Sequence, residues 1–177
     1  MRKQSTYIYY SADELAAVEQ HYTNYFGPIK YIMHSNVLDD PHVDLCLISP
    51  TKKYPQYRLL SCGMGSQAMD IADENQGQVM SNIEVMITLP SDWTNNKRRR
   101  NNYWWPIVLL LSVAYFPFDN NDWLDSCHTI SYNDFPEKPD LKMVFLASPR
   151  DYSHEAQLIE LPSGKTIRIL EVFPVLK

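Results

Sequence analysis

The clearest pattern along the chain is helical and lies near its start. Ser11-Ala-Asp-Glu14 has the form of a capping box, in which the Ser11 hydroxyl accepts the backbone N–H three residues on and Glu14 reaches back to the Ser11 N–H. Leu15, Val18, Tyr22 and Tyr25 or Phe26 then recur at helical spacing as one apolar stripe. Gly27 suits the left-handed residue that ends a helix and Pro28 cannot continue one, so the spacing predicts a helix over 12–26. Short extended segments follow at 31–34, at 43–48 with Pro50 closing it, and at 57–62 running into Gly63-Met64-Gly65. A fourth, 82–89, alternates cleanly: Ile83, Val85, Ile87 and Leu89 on one face, Glu84 and Thr88 on the other. That is the pattern of a half-buried strand, and Pro90 ends it.

Residues 91–103 are polar and carry Asn95-Asn96, the basic run Lys97 to Arg100 and Asn101-Asn102, the composition of an exposed loop. Trp105 to Tyr115 reads as a second helix with Pro106 in its first turn, where a missing N–H is no loss. Strand patterns resume at 128–132, 141–146, 156–161 and 166–173, and Pro162-Ser-Gly-Lys165 between the last two suits a hairpin turn. Lys52-Lys53 and the tyrosines around Pro55 fall in a connection between neighbouring strands. No repeat or low-complexity linker interrupts the chain. Two helices and seven or eight strands in irregular order predict a single α+β domain over residues 1–177, a mixed and largely antiparallel sheet packed with two main helices, in preference to a doubly wound parallel fold.

Composition narrows the partner class. The 177 residues suit one core, and an apolar share of 45% with 21% charged residues is ordinary for a globular protein. Twelve prolines, twelve tyrosines and six phenylalanines agree with many short elements and a sheet-rich core. The charge of −5, from 21 acidic against 16 basic side chains, argues against general nucleic-acid binding, which needs a basic footprint. Three widely spaced cysteines, Cys46, Cys62 and Cys127, do not make a disulfide framework. No apolar stretch follows the basic residues at the N-terminus, and the longest apolar run, 104–118, is shorter than the roughly 20 residues a membrane span needs. A cytoplasmic location, with no membrane partner, is the expectation.

Catalytic signatures are missing: no GxSxG elbow, Walker loop, HExxH or CxxC pair occurs, and Gly63-Met64-Gly65 reads as a tight turn after a strand. His42 and Asp44 stand two apart on a strand and so share a face, and with His128, or Cys127 beside it, they have the residue types of a metal site. Nothing in the spacing requires one. A structural hydrogen-bond network and a protein-binding surface fit the same residues. The basic run at 97–100 fits a solvated loop tip or an anionic-partner patch. Trp93, Trp104, Trp105 and Trp123 fit core packing, three of them bordering the apolar helix, and Trp also serves as an interface anchor.

Several segments in order resemble the suppressor-of-fused family. They are His42-Val-Asp-Leu45 with Ile48-Ser-Pro50 and Tyr57 through Ser61-Cys-Gly-Met64; Glu84 through Leu89-Pro90-Ser-Asp-Trp93; Trp105-Pro106-Ile107 with Leu110, Ala114, Tyr115, Phe116 and Pro117; Trp123-Leu124 with His128-Thr129-Ile130; and the closing stretch 167–176. The likeness spans roughly residues 30–175. Cys127 departs from the pattern, standing where the family usually has glycine before His128, which predicts an altered turn. The segment 94–103 is more basic and richer in Asn than the family pattern, which predicts a partner specificity of its own.

What the resemblance implies is protein binding without catalysis. Animal members restrain a zinc-finger transcription factor with the help of a further C-terminal domain, a role not expected of this chain. Short stand-alone members resemble bacterial immunity proteins of polymorphic toxin systems. The expectation is therefore a module that binds and blocks a toxin or other effector by occlusion, without metal or cofactor. Its contact surface is expected around His42, Asp44, Met64, Trp123 and His128, with Asp44 and His128 as polar contacts or network members and Met64 and Trp123 as apolar anchors. The alternative is a small metal-dependent hydrolase using His42, Asp44 and His128, which requires those side chains to converge. The oligomeric state is not legible.

Overall fold

The computed structural model describes residues 9–35, 41–93 and 100–177, with backbone only for 100–102. Lys97 to Arg99 of the basic run lie outside the described residues. Helix α1 (Ala12–Tyr25) begins at the predicted capping box, with the Glu14 N–H donating to Ser11 Oγ and the Ser11 N–H to the Glu14 carboxylate. Its buried stripe runs Glu14, Val18, Tyr22 and on to Phe26, every fourth residue. Leu15 and Tyr25 face solvent instead, and Glu14 earns its inward place by accepting from Ser163 Oγ at 2.6 Å.

The strands are β1 (Ile29–Met33), β2 (Asp44–Ile48), β3 (Tyr57–Cys62), β4 (Ile83–Leu89), β5 (Thr129–Ser131), β6 (Leu141–Ala147), β7 (Leu158–Glu160) and β8 (Thr166–Leu176). They form one sheet in the order β1-β2-β3-β4-β8-β6-β5, with β7 also paired to β8. Every pairing is antiparallel except β4 with β8, so the sheet is mixed and largely antiparallel as predicted. The 162–165 turn closes the β7–β8 hairpin through Leu161 N–H to Lys165 O at 2.8 Å.

Helix α2 (Arg100–Asn120) is longer than the pattern over 105–115 predicted. Pro106 therefore sits inside the helix, not in its first turn, and Pro117 follows it. The early start is held by Tyr103, whose ring stacks on that of buried Trp93 at 4.7 Å. Such tertiary stacking outweighs the weak helix preference of Asn101 and Asn102.

The two helices cover opposite faces of the sheet. Under α2 lies the larger core, with Leu45, Leu47, Leu59, Val85, Ile87, Val144, Leu146 and Val172 packed on Leu109, Leu110 and Val113. Under α1 lies a second core with Cys46, Ile48, Leu60, Met86, Ile167 and Ile169. Strand β4 thus lies between two covered faces. Its predicted alternation is correct, and on the second face Thr88 is exposed as expected, but Glu84 is fully buried.

Candidate functional site

Strand β2 begins at Asp44, and the carboxylate there gathers three donors from the β1–β2 connection. Its Oδ1 lies 3.0 Å from His42 Nε2 and accepts from the Ser35 N–H, while Oδ2 lies 2.9 Å from His34 Nδ1. His34 was not among the predicted residues; it comes into reach because β1 and β2 pair antiparallel with Met33 opposite Leu45. The His42 ring also faces Tyr9, with ring centroids 5.9 Å apart.

His128 precedes β5 at the far edge of the sheet. Four strands, β3, β4, β8 and β6, separate β2 from β5. At about 4.8 Å per strand, that spans roughly 24 Å. His42 and Asp44 therefore do not converge with His128, and no cluster that could hold a metal ion occurs among the described residues. The requirement of the hydrolase alternative is not met.

At this far edge a groove of about 410 Å³ is lined by Phe116, Asp122, Trp123, Leu124, Cys127, His128 and Thr129. Trp123 and His128 meet edge to face with centroids 6.1 Å apart. The Asp125 N–H donates to His128 Nδ1 at 3.3 Å, which leaves Nε2 as the proton-bearing nitrogen of the neutral ring. Asp125 is itself held by Arg168 at 2.6 Å. Cys127 takes φ +69°, the left-handed conformation natural to glycine. The turn that the Cys for Gly replacement was expected to alter is thus kept in a glycine-like conformation, and the Cys127 N–H still donates to Leu146 O at 2.8 Å.

Met64 is a correction. It is fully buried in the α2-side core and offers no surface to a partner. It lies in a short 3-10 turn, 64–66, that folds inward because its backbone is gripped from below. The grip is Glu84. Its Oε1 accepts from the Gly63 N–H at 3.0 Å, the Gly65 N–H at 2.9 Å and the Tyr10 hydroxyl at 2.6 Å, and Oε2 accepts from Ser61 Oγ. Burial holds the Glu84 carboxyl above its usual range, and these hydrogen bonds offset only part of that rise. Burial and the neighbouring Glu84 carboxylate push the Tyr10 phenol up.

Of the tryptophans, Trp93 is buried, Trp105 and Trp123 are partly buried against the core, and Trp104 is half exposed. Among the described residues no helix is long and apolar enough to cross a membrane.

The suppressor of fused protein family model matches residues 39–177. A solved structure of a putative suppressor-of-fused homolog from Neisseria gonorrhoeae is similar over 94% of this chain and 80% of that one, with a TM-score of 0.59 and 12% identity, a likeness of fold. Comparison with curated proteins gives no match. With the family model matching well over half of its length, the chain belongs to the suppressor-of-fused family.

Proposed function

We propose that this chain is a protein-binding module of the immunity type, which blocks a toxin or other effector by covering its working surface. The observation that carries the reading is the groove of Trp123 and His128 beside β5, a three-residue strand that among the described residues pairs only with β6. Trp123 supplies a partly buried aromatic wall, and His128 Nε2 supplies a donor beside it. Such an amphipathic aromatic site is the usual anchor of an interface, and an open strand edge adds main-chain hydrogen bonds. Asp44, held by two imidazoles and a backbone N–H, serves as a network member that shapes the β1–β2 connection. The charge of −5 favours encounter with a basic effector.

The test is an affinity pull-down from the native host in the cytoplasmic fraction, with metals assayed alongside. One stoichiometric partner, bound about tenfold or more weakly by Trp123→Ala and His128→Ala, supports the reading. Unchanged affinity in both folded variants overturns the site. A stoichiometric metal with no protein partner overturns the function.

A further inference from the structure

The two faces of the sheet are not covered to the same extent. The α2 side is packed throughout, including Ile130 of β5, Val144 and Leu146 of β6, and Leu170 and Val172 of β8. On the other side, the core under α1 reaches only from β2 to the first half of β8, where Ile167 and Ile169 are its last strand members. Strand alternation then places Met143 and Phe145 of β6 and Phe173 and Val175 of β8 on this second face, beyond that core. Phe145 lies opposite Phe173, and Met143 opposite Val175, so the four form one apolar block. Phe145 is 36% exposed and Val175 41%. Apolar side chains so grouped on an open sheet face mark an interaction surface more often than scattered ones do.

Three cations border the block, with Glu171 and Asp151 at the cavity beside Phe173. The exposed Arg150 guanidinium lies 4.8 Å from the centre of the Phe173 ring and also acts on the Glu171 carboxylate, which accepts from the Arg150 backbone N–H. Lys142 is the extra residue of a bulge between Leu141 and Met143, at the other end of the block. Lys177 is close enough to hold the Lys142 ammonium below lysine's usual range. Asp140, two residues before Lys142, is already engaged by Lys138 at 2.6 Å. A cationic rim thus stands on a chain whose net charge is −5.

Beside the block, β4 and β8 part company. Their pairing ends at Met86 with Glu171, although both strands continue. The opening is a cavity of about 260 Å³, lined among others by Tyr54, Thr88, Asp151, Tyr152, Glu171 and Phe173. It is smaller than the roughly 300–1,000 Å³ of small-molecule sites and suits a single side chain.

We propose that the open face of β6 and β8 docks an acidic segment of another protein. Its apolar side chains cover Met143, Phe145, Phe173 and Val175, one of them entering the adjoining cavity. Its carboxylates meet Arg150, Lys142 and Lys177. A second copy of the chain is the poorer occupant, because a two-fold contact repeats the same patch and sets cations against cations. This surface is separate from the groove of Trp123 and His128, and neither depends on the other.

The test is selection of a random linear-peptide library on the whole protein, followed by affinity measurement with the best synthetic peptide and mapping by amide chemical shifts. The expected winners combine Asp or Glu with Phe, Leu or Trp and shift residues 143–145 and 173–175. Phe145→Ser and Arg150→Glu, both at exposed positions, should each weaken binding about tenfold while the rest of the spectrum stays in place. Trp123→Ala should leave it unchanged, which separates this surface from the proposed effector site. Failure to enrich any peptide, winners without acidic residues, or affinity indifferent to both substitutions would overturn the proposal. So would dimerisation, or co-sedimentation with phosphatidylserine vesicles, that Phe145→Ser abolishes.

Discussion

The Tyr10 hydroxyl donates to the Glu84 carboxylate at 2.6 Å across 74 residues of sequence, tying the segment before α1 to the middle of the sheet. The same carboxylate holds the turn after β3 through the amides of Gly63 and Gly65. Glu84→Ala leaves these donors buried without an acceptor, at roughly 1–3 kcal/mol each, so a loss of at least about 3 kcal/mol is expected. Glu84→Gln keeps one carbonyl oxygen for the Tyr10, Gly63 and Gly65 donors and should cost about 1–2 kcal/mol. Urea midpoints of the two variants check the order.

Glu84 and Glu171 are both pushed up by burial. A carboxyl whose folded value exceeds its unfolded one contributes stability that is complete below the unfolded value and is lost as pH rises through the folded one. Stability should therefore fall as pH rises from the ordinary carboxylate range upward on account of these groups, and Glu84→Gln should flatten the fall. Unfolding midpoints across that range decide it; a steeper fall in the variant would contradict the assignment.

A β-carbon at Gly63, where φ is +129°, would overlap the carbonyl oxygen of His42. Backbone stands on both sides of that clash, so Gly63→Ala is expected to cost more than about 3 kcal/mol. Gly164→Ala is the control. Its φ is +85° with no neighbour within 4 Å of the added carbon, and only the left-handed conformation, about 1–2 kcal/mol, opposes it.

Met64 and Trp123 shared a role in the sequence reading and part in the structure. Met64→Ala opens a cavity in the α2-side core and should cost about 2–5 kcal/mol of stability. Trp123→Ala should instead act chiefly on partner affinity. Thermal melts beside pull-down yields separate the two, and a Met64→Ala variant of native stability would count against its burial.

Cys127 holds φ +69° against a left-handed strain of about 1–2 kcal/mol. Cys127→Gly removes that strain but adds about 0.5–1 kcal/mol of unfolded-chain entropy. A net gain of roughly 0.5–1 kcal/mol is expected, measurable as a higher urea midpoint with the His128 contacts unchanged.

Much of the fold was legible because it is local. The capping box of Ser11 and Glu14, the alternation from Ile83 to Leu89 and the 162–165 turn are each written in a few neighbouring residues. Helix α2 was legible in its apolar stretch but not at its start, because Tyr103 is held by Trp93, ten residues back and beyond the reach of a helical repeat.

The site was less so. Local alternation establishes which side chains share a face, and it placed Glu84 opposite Val85 correctly. Whether that second face is wet or dry depends on what covers it, and α1 is more than fifty residues away in the chain. The same holds for His42 and His128: their types suggested one centre, but strand order put four strands between them. Periodicity records the geometry of a single strand, whereas sheet order and the layers above it arise from pairings between distant segments, which no local pattern encodes.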